Sequence, residues 1–184
     1  MTGGRFRVDD GRRDEDGRLV AVLDELADRT GLPVGDADNG HDRWRLYEAA
    51  LGEAENFGLL FEVIWFEPDQ NVALSVLLPV LERLPEGERA RWIAQLRWEY
   101  SREYAQRYAR DVALLQSAAL TPLLADGEVQ ESWSDWLQVR LAQASPEPAV
   151  LRRLGERGRT KRIRGYASSR LAALDRAAVR GECS

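Results

Sequence analysis

Residues 145–174 read "SPEPAVLRRLGERGRTKRIRGYASSRLAAL", and two helices joined by one turn are legible in them. Ser145 reads as an N-cap with Pro146 at the first helical position, where a missing N–H costs nothing and φ is already helical. Gly158 reads as the stop of that helix and Thr160 as the cap of the next. So short a connection requires the two helices to pack antiparallel. At about 100° per residue, Ile163, Ala167, Leu171, Leu174 and Ala178 share one face of the second helix, with Lys161, Arg162, Arg176 and Arg180 on the other side. That is an amphipathic helix with an apolar seam and a basic back.

Upstream the same grammar recurs. Leu19, Val20, Val22, Leu23 and Leu26 stand at helical spacing before Gly31, and "GLPVGDADNG" (31–40) is a loop by its glycine, proline and Asx content. Asp42 is expected to cap a helix ending at Leu51–Gly52. "AENFGLLFEVIWF" (54–66) reads as a very apolar helix, broken at Pro68, with Asp69 capping its successor. In "NVALSVLLPVLERLP" (71–85), Val72, Val76 and Val80 form one row and Ala73, Leu77, Leu81 and Leu84 the next; Pro79 should kink this helix near Ser75. From Gly87 a single long helix of about thirty residues is expected, supported by i,i+4 pairs Glu103–Arg107 and Arg107–Asp111. Thr121–Pro122 starts a turn that "ADGE" (125–128) closes, and "SWSDWLQVRLAQA" (132–144) is a further helix. No segment alternates as a strand does. The fold class is all-α, built of antiparallel helix pairs as an α-solenoid or an irregular helical bundle.

Two features of the C-terminal pair resemble the HEAT repeat family. "KRIRGYASSRL" (161–171) is similar to that family's second helix, with aliphatic Ile163, Arg164 beside it, small Ala167 and then Leu171. Val72, Val76 and Val80 align with Ile163, Ala167 and Leu171 at an offset of 91 residues, near twice the roughly 40–47-residue HEAT and armadillo period. "LLPVLERL" (77–84) resembles a first HEAT helix with its internal proline, which conflicts with that alignment. The resemblance implies a HEAT-like scaffold and binding surface rather than chemistry.

The chain has 184 residues, 44% of them apolar, with six Trp, five Tyr and four Phe, enough for a core in one all-α domain over 17–184. Residues 1–16 lack hydrophobic periodicity and read as disordered or loosely attached. No apolar run approaches the roughly 20 residues that span a bilayer, and the polar start lacks a signal-peptide h-region. Cys183 is the single cysteine and cannot form an internal disulfide. These features fit a cytoplasmic protein that does not enter membranes.

Lys161 is the only lysine, so arginine abundance by itself carries no binding signal; position does. Ten basic and three acidic residues between Ala149 and Ser184 give that stretch +7, so the other 148 residues carry −12 of the chain's −5. Clustered like charge repels itself, and an acidic partner relieves the repulsion. The candidate partner-binding residues are Arg152, Arg153, Arg157, Arg159, Lys161, Arg162, Arg176 and Arg180. The expected partner is an acidic protein or another copy of this chain, with nucleic acid as the alternative on the same arginines.

Other motifs lead nowhere comparable. "DADNGHD" (36–42) holds the only histidine and invites a calcium reading. With Gly40 in the loop's glycine place, however, Ala37 and Gly35 fall where carboxylates are required, so a solvated Asn-Gly turn is the better reading. His41 beside Asp36 or Asp38 has no second histidine or nucleophile to work with. The row Trp92, Tyr100, Tyr104 and Tyr108, interleaved with arginines 97, 102, 107 and 110, is expected to be a buried helix face rather than a base-stacking platform. Trp133 and Trp136 read as core anchors. No phosphate loop, CxxC or HExxH occurs, so no catalytic residue, metal or cofactor is expected.

Overall fold

A computed structural model describes residues 9–117 and 133–181, with side chains described over 14–117 and 133–178. Every regular element among them is helical. They are α1 (Asp9–Thr30), α2 (Gly40–Ala50), a 3₁₀ turn (Ala54–Asn56), α3 (Phe57–Phe66), α4 (Gln70–Arg83), α5 (Glu86–Ile93), α6 (Glu99–Gln116), α7 (Asp135–Ala144), α8 (Pro148–Arg157) and α9 (Lys161–Gly181). The chain divides into two compact units, 1–109 and 110–184, and the division falls inside α6.

In the first unit α1 packs on α2 and α3, α4 on α2 and α3, and α5 on α4. Leu23, Leu26, Leu46, Leu60, Val63, Ile64, Val76, Leu77, Val80 and Leu81 are fully buried, and the apolar rows of α4 face this core. Val72 of the same row is half-buried. Gly31 ends α1 with φ 71°, a conformation that penalises any residue with a Cβ. Asp69 caps α4 by accepting from the N–H of Asn71 at 2.8 Å. Pro79 lies inside α4.

Several boundaries differ from the sequence expectation. α1 begins at Asp9, so residues 9–16 are helical, although they carry no apolar stripe. Glu15 there pairs with Arg97 at 3.0 Å. Asn39, not Asp42, caps α2: its side chain accepts from the N–H of His41 at 2.9 Å. Asp42 sits in the first turn, where a carboxylate also favours the helix dipole, and accepts from the N–H of Asp36 at 3.1 Å.

The long helix expected from Gly87 is broken over residues 94–98. Neither glycine nor proline causes the break. Leu96 is fully buried, and tight bonds from the N–H of Gln95 to Trp92 and of Leu96 to Ile93, both 3.1 Å, turn the chain inward. Arg102 donates to the freed carbonyl of Leu96 at 2.7 Å. Of the expected support pairs, Arg107 instead stands 6.0 Å from the Tyr104 ring, and the Asp111 carboxylate turns to Ser134.

In the second unit the core comprises Trp133, Leu137, Leu141, Ala142, Val150, Leu151, Leu154, Ile163 and Ala167, with Leu114, Leu115, Trp136 and Leu174 packed at its edge. Ser134 caps α7, accepting from the N–H of Leu137 at 3.1 Å. Ser145 does not cap α8; it ends α7, and Glu147 is the cap with Pro148 at the first position. The reason is Pro148: the residue before a proline is driven out of the α region, so Glu147, at φ −89° and ψ 111°, cannot be helical. The turn expected at Thr121–Pro122 and "ADGE" lies outside the described residues.

Burial pushes the Asp111 carboxyl above the usual carboxylate range, against the opposing pull of Ser134 and Arg110. A folded-state value above the unfolded one means that Asp111 favours the fold at low pH, and that this contribution is lost as pH rises through the folded value. At neutral pH the ionised group is therefore a net cost. Asp111→Asn, which keeps an acceptor for Ser134, should raise the melting temperature at pH 7 and flatten the dependence of stability on mildly acidic pH. A lower melting temperature at pH 7 would contradict this.

Candidate interaction surface

The α8–α9 joint is built around a close approach. Gly158 has φ −55° and ψ 136°, which any residue adopts, but a Cβ there would lie 2.5 Å from the Leu154 carbonyl oxygen and 2.7 Å from Ile163 Cγ2. The joint is then tied down. Thr160 caps α9, its hydroxyl accepting from the N–H of Ile163 at 3.2 Å. Arg164 donates to the Gly158 carbonyl at 2.7 Å. Arg159 reaches back to α7, donating to Asp135 at 2.8 Å and to the Trp133 carbonyl at 2.6 Å. Gln138 is buried and bridges the same place, accepting from the Arg159 N–H and donating to Trp133, both at 3.1 Å.

This sorts the eight basic candidates. Arg159 is an intramolecular clamp. Arg153 is half-buried, and Arg180 lies outside the described side chains. Arg152, Arg157, Lys161, Arg162 and Arg176 are exposed. Arg157, Lys161 and Arg162 bracket the turn, and Arg162 stands 5.4 Å from the Tyr166 ring. Among the described residues, Arg152, Arg157, Lys161 and Arg162 make no ion pair. Four exposed cations with no ion pair among the described residues thus stand on α8 and at the start of α9.

The remaining candidates take structural places. "DADNGHD" forms an Asx turn, with the Asp38 N–H donating to Asp36 at 3.0 Å, that feeds the Asn39 cap. Among the described residues no three His, Cys, Asp or Glu side chains gather as metal ligands would. The pocket lined by Leu32, Pro33, Val34, Gly35, Asp42, Arg45 and Leu46 holds about 70 Å³, well under the roughly 300–1,000 Å³ of small-molecule sites. The aromatic row splits: Trp92 and Tyr108 are buried, but Tyr100 is 70% exposed and Tyr104 38% exposed. The break at 94–98 puts Trp92 on a different helix from the tyrosines, so the single buried face expected there does not form. Trp133 is a core anchor, and its indole N–H has no hydrogen-bond partner among the described residues. Trp136 packs at the edge of that core.

Two arrangements have no counterpart in the sequence reading. Phe57, Phe61 and Trp65, spaced by four along α3, are each covered by a guanidinium: Arg83 at 4.9 Å, Arg91 at 4.9 Å and Arg97 at 5.9 Å. The signal was available, because a helix whose Leu59, Leu60, Val63 and Ile64 fill the core must turn this aromatic row elsewhere. The second is a buried network. Glu67, fully buried, accepts from Arg43 Nε at 2.9 Å and Nη2 at 2.6 Å, from the Tyr47 hydroxyl at 3.0 Å and from the Asp69 N–H at 3.0 Å. Arg43 also donates to the Ala37 carbonyl at 2.7 Å. The hydrogen bond to Glu67 holds the Arg43 guanidinium charged against the opposing effect of burial, and burial followed by the Glu67 charge pushes the Tyr47 phenol well above its usual range. Arg43, Tyr47 and Glu67 are buried and satisfied by one another, so the network joins elements together.

No helix among the described residues is long and apolar enough to cross a membrane. No protein-family model matches the chain, and neither a curated protein nor a solved structure matches it.

Proposed function

We propose that this chain is a non-catalytic, HEAT-like interaction module of the cytoplasm that takes an acidic protein partner on the α8–α9 surface. The observation that carries the reading is the set of four exposed cations, Arg152, Arg157, Lys161 and Arg162, without ion-pair partners among the described residues. An acidic side chain brought to them is attracted without first displacing an internal partner. A protein suits the patch better than a long polyanion does. The residues outside 149–184 carry −12, a net charge that repels a long polyanion more than a short acidic segment.

Changing all four to Gln tests this. Exposed substitutions away from packing move stability by no more than about 0.5 kcal/mol each, so melting should hold nearly constant. Poly-L-glutamate should bind the wild type in a salt-sensitive way and fail to bind the variant, while single-stranded DNA of matched charge binds the wild type more weakly. DNA binding tighter than polyglutamate, abolished by the same changes with a flattened salt slope, would make the surface a nucleic-acid site instead.

A further inference from the structure

α6 buries one side and leaves an aromatic strip on another. Ser101, Ala105 and Tyr108 supply the buried side. At about 100° per residue, Glu103, Arg107, Tyr100 and Tyr104 fall together on an outward strip beside it. Tyr100 is 70% exposed and Tyr104 38% exposed, one helical turn apart. Glu103 and Arg107 are exposed as well, at the i,i+4 spacing that allows an ion pair. They do not make one. The Arg107 guanidinium lies 6.0 Å from the Tyr104 ring instead, and neither residue has an ion pair among the described residues.

We infer that this strip of α6 pairs with the same strip of a second copy of the chain, the two helices antiparallel about a two-fold axis. Exposed aromatic groups gathered on one strip mark an interaction surface, and the charges on it select the occupant. Glu103 and Arg107 give one charge of each sign, so the strip favours neither a strongly acidic nor a strongly basic partner. It does complement its own inverse. Turned end for end, it sets Arg107 against Tyr100 of the second copy, with Glu103 of that copy one turn further on. Each guanidinium then gains a ring face and a carboxylate, and the two-fold axis makes both contacts twice. Such a contact closes at the dimer. Two tyrosines per copy, at most about 150–250 Å² each, fall short of the roughly 800 Å² per partner of a standard interface, so the dimer is weak and concentration-dependent. This inference uses none of the α8–α9 cations and stands apart from the acidic-partner reading.

Sedimentation velocity of the full chain, from micromolar to millimolar concentration, tests the pairing. The wild type should pass from monomer toward dimer as concentration rises. Arg107→Glu and Glu103→Arg are changes at exposed positions and should melt as the wild type does. Each brings like charges together across the two-fold axis and should raise the dimer dissociation constant about tenfold or more. An equimolar mixture of the two variants should recover the dimer, because an all-acidic strip then meets an all-basic one. Gln at Arg152, Arg157, Lys161 and Arg162 should leave dimerisation unchanged; loss of the dimer there moves the contact to α8–α9 and overturns the inference. A wild type that stays monomeric throughout, a dimer indifferent to both α6 changes, or a mixture no tighter than either variant alone overturns it too. So does a monomeric chain whose binding of single-stranded DNA is lost with Tyr100→Ala, which would make the tyrosines a base-stacking surface.

Discussion

Glu67→Ala should cost about 3–5 kcal/mol, the range expected when one member of a buried ion pair is removed. The change strands more than a salt bridge. The Arg43 guanidinium keeps its charge with almost no solvent contact, the Tyr47 hydroxyl loses its acceptor, and the Asp69 N–H loses the bond that shapes the entry to α4. Glu67 also sits at the corner between α3 and α4, while Arg43 ties α2 to the loop at Ala37. Three elements therefore lose a common anchor. The double change Arg43→Met with Glu67→Leu should cost less than Glu67→Ala alone, because it removes the uncompensated charge along with its partner. Urea denaturation of the single and double variants measures both. A Glu67→Ala cost under about 1 kcal/mol would mean that water reaches the site and that the network is not the joint described here.

Gly158→Ala is the second large effect. One methyl group would sit 2.5 Å from a carbonyl oxygen and 2.7 Å from a core side chain. Neither can move away cheaply. The Leu154 carbonyl accepts the Gly158 N–H at 2.9 Å at the end of α8, and Ile163 is fully buried. Overpacking of this kind costs about 1–3 kcal/mol or more, and relief requires opening the α8–α9 angle. The clamp of Arg159 on Asp135 and Trp133 should then loosen, and binding of acidic probes should weaken with stability. Gly165→Ala is the control: nothing lies within 4 Å of a Cβ there, so an exposed mid-helix alanine should stabilise by about 0.5–1 kcal/mol. Equal effects at the two positions would show that helix propensity, and not the close approach, governs Gly158.

The C-terminal pair was the most legible part of the fold because its information is local. Thr160, Gly158 and the seam from Ile163 to Leu174 are all set by neighbours within a few residues, as is the Asp69 cap. The misreadings have long-range causes. Arg43 and Glu67 are 24 residues apart, as are Arg159 and Asp135, and no periodicity pairs them. The break at 94–98 comes from Leu96 entering the core, with no turn residue to announce it. Ala178 shares the seam by angle but not its burial, because angle carries no information about where α8 and α7 end. The basic surface was legible as charge, but which arginines are already engaged was not: Arg159 reads like its neighbours in sequence and serves the fold.

Amide spectra of the isotope-labelled full chain, titrated with poly-L-glutamate, test most directly whether an acidic protein binds at α8–α9. Shifts are expected at Arg152, Arg157, Lys161 and Arg162, receding as salt is added. Shifts confined to residues 9–109, or none at any polyglutamate concentration, would contradict that reading.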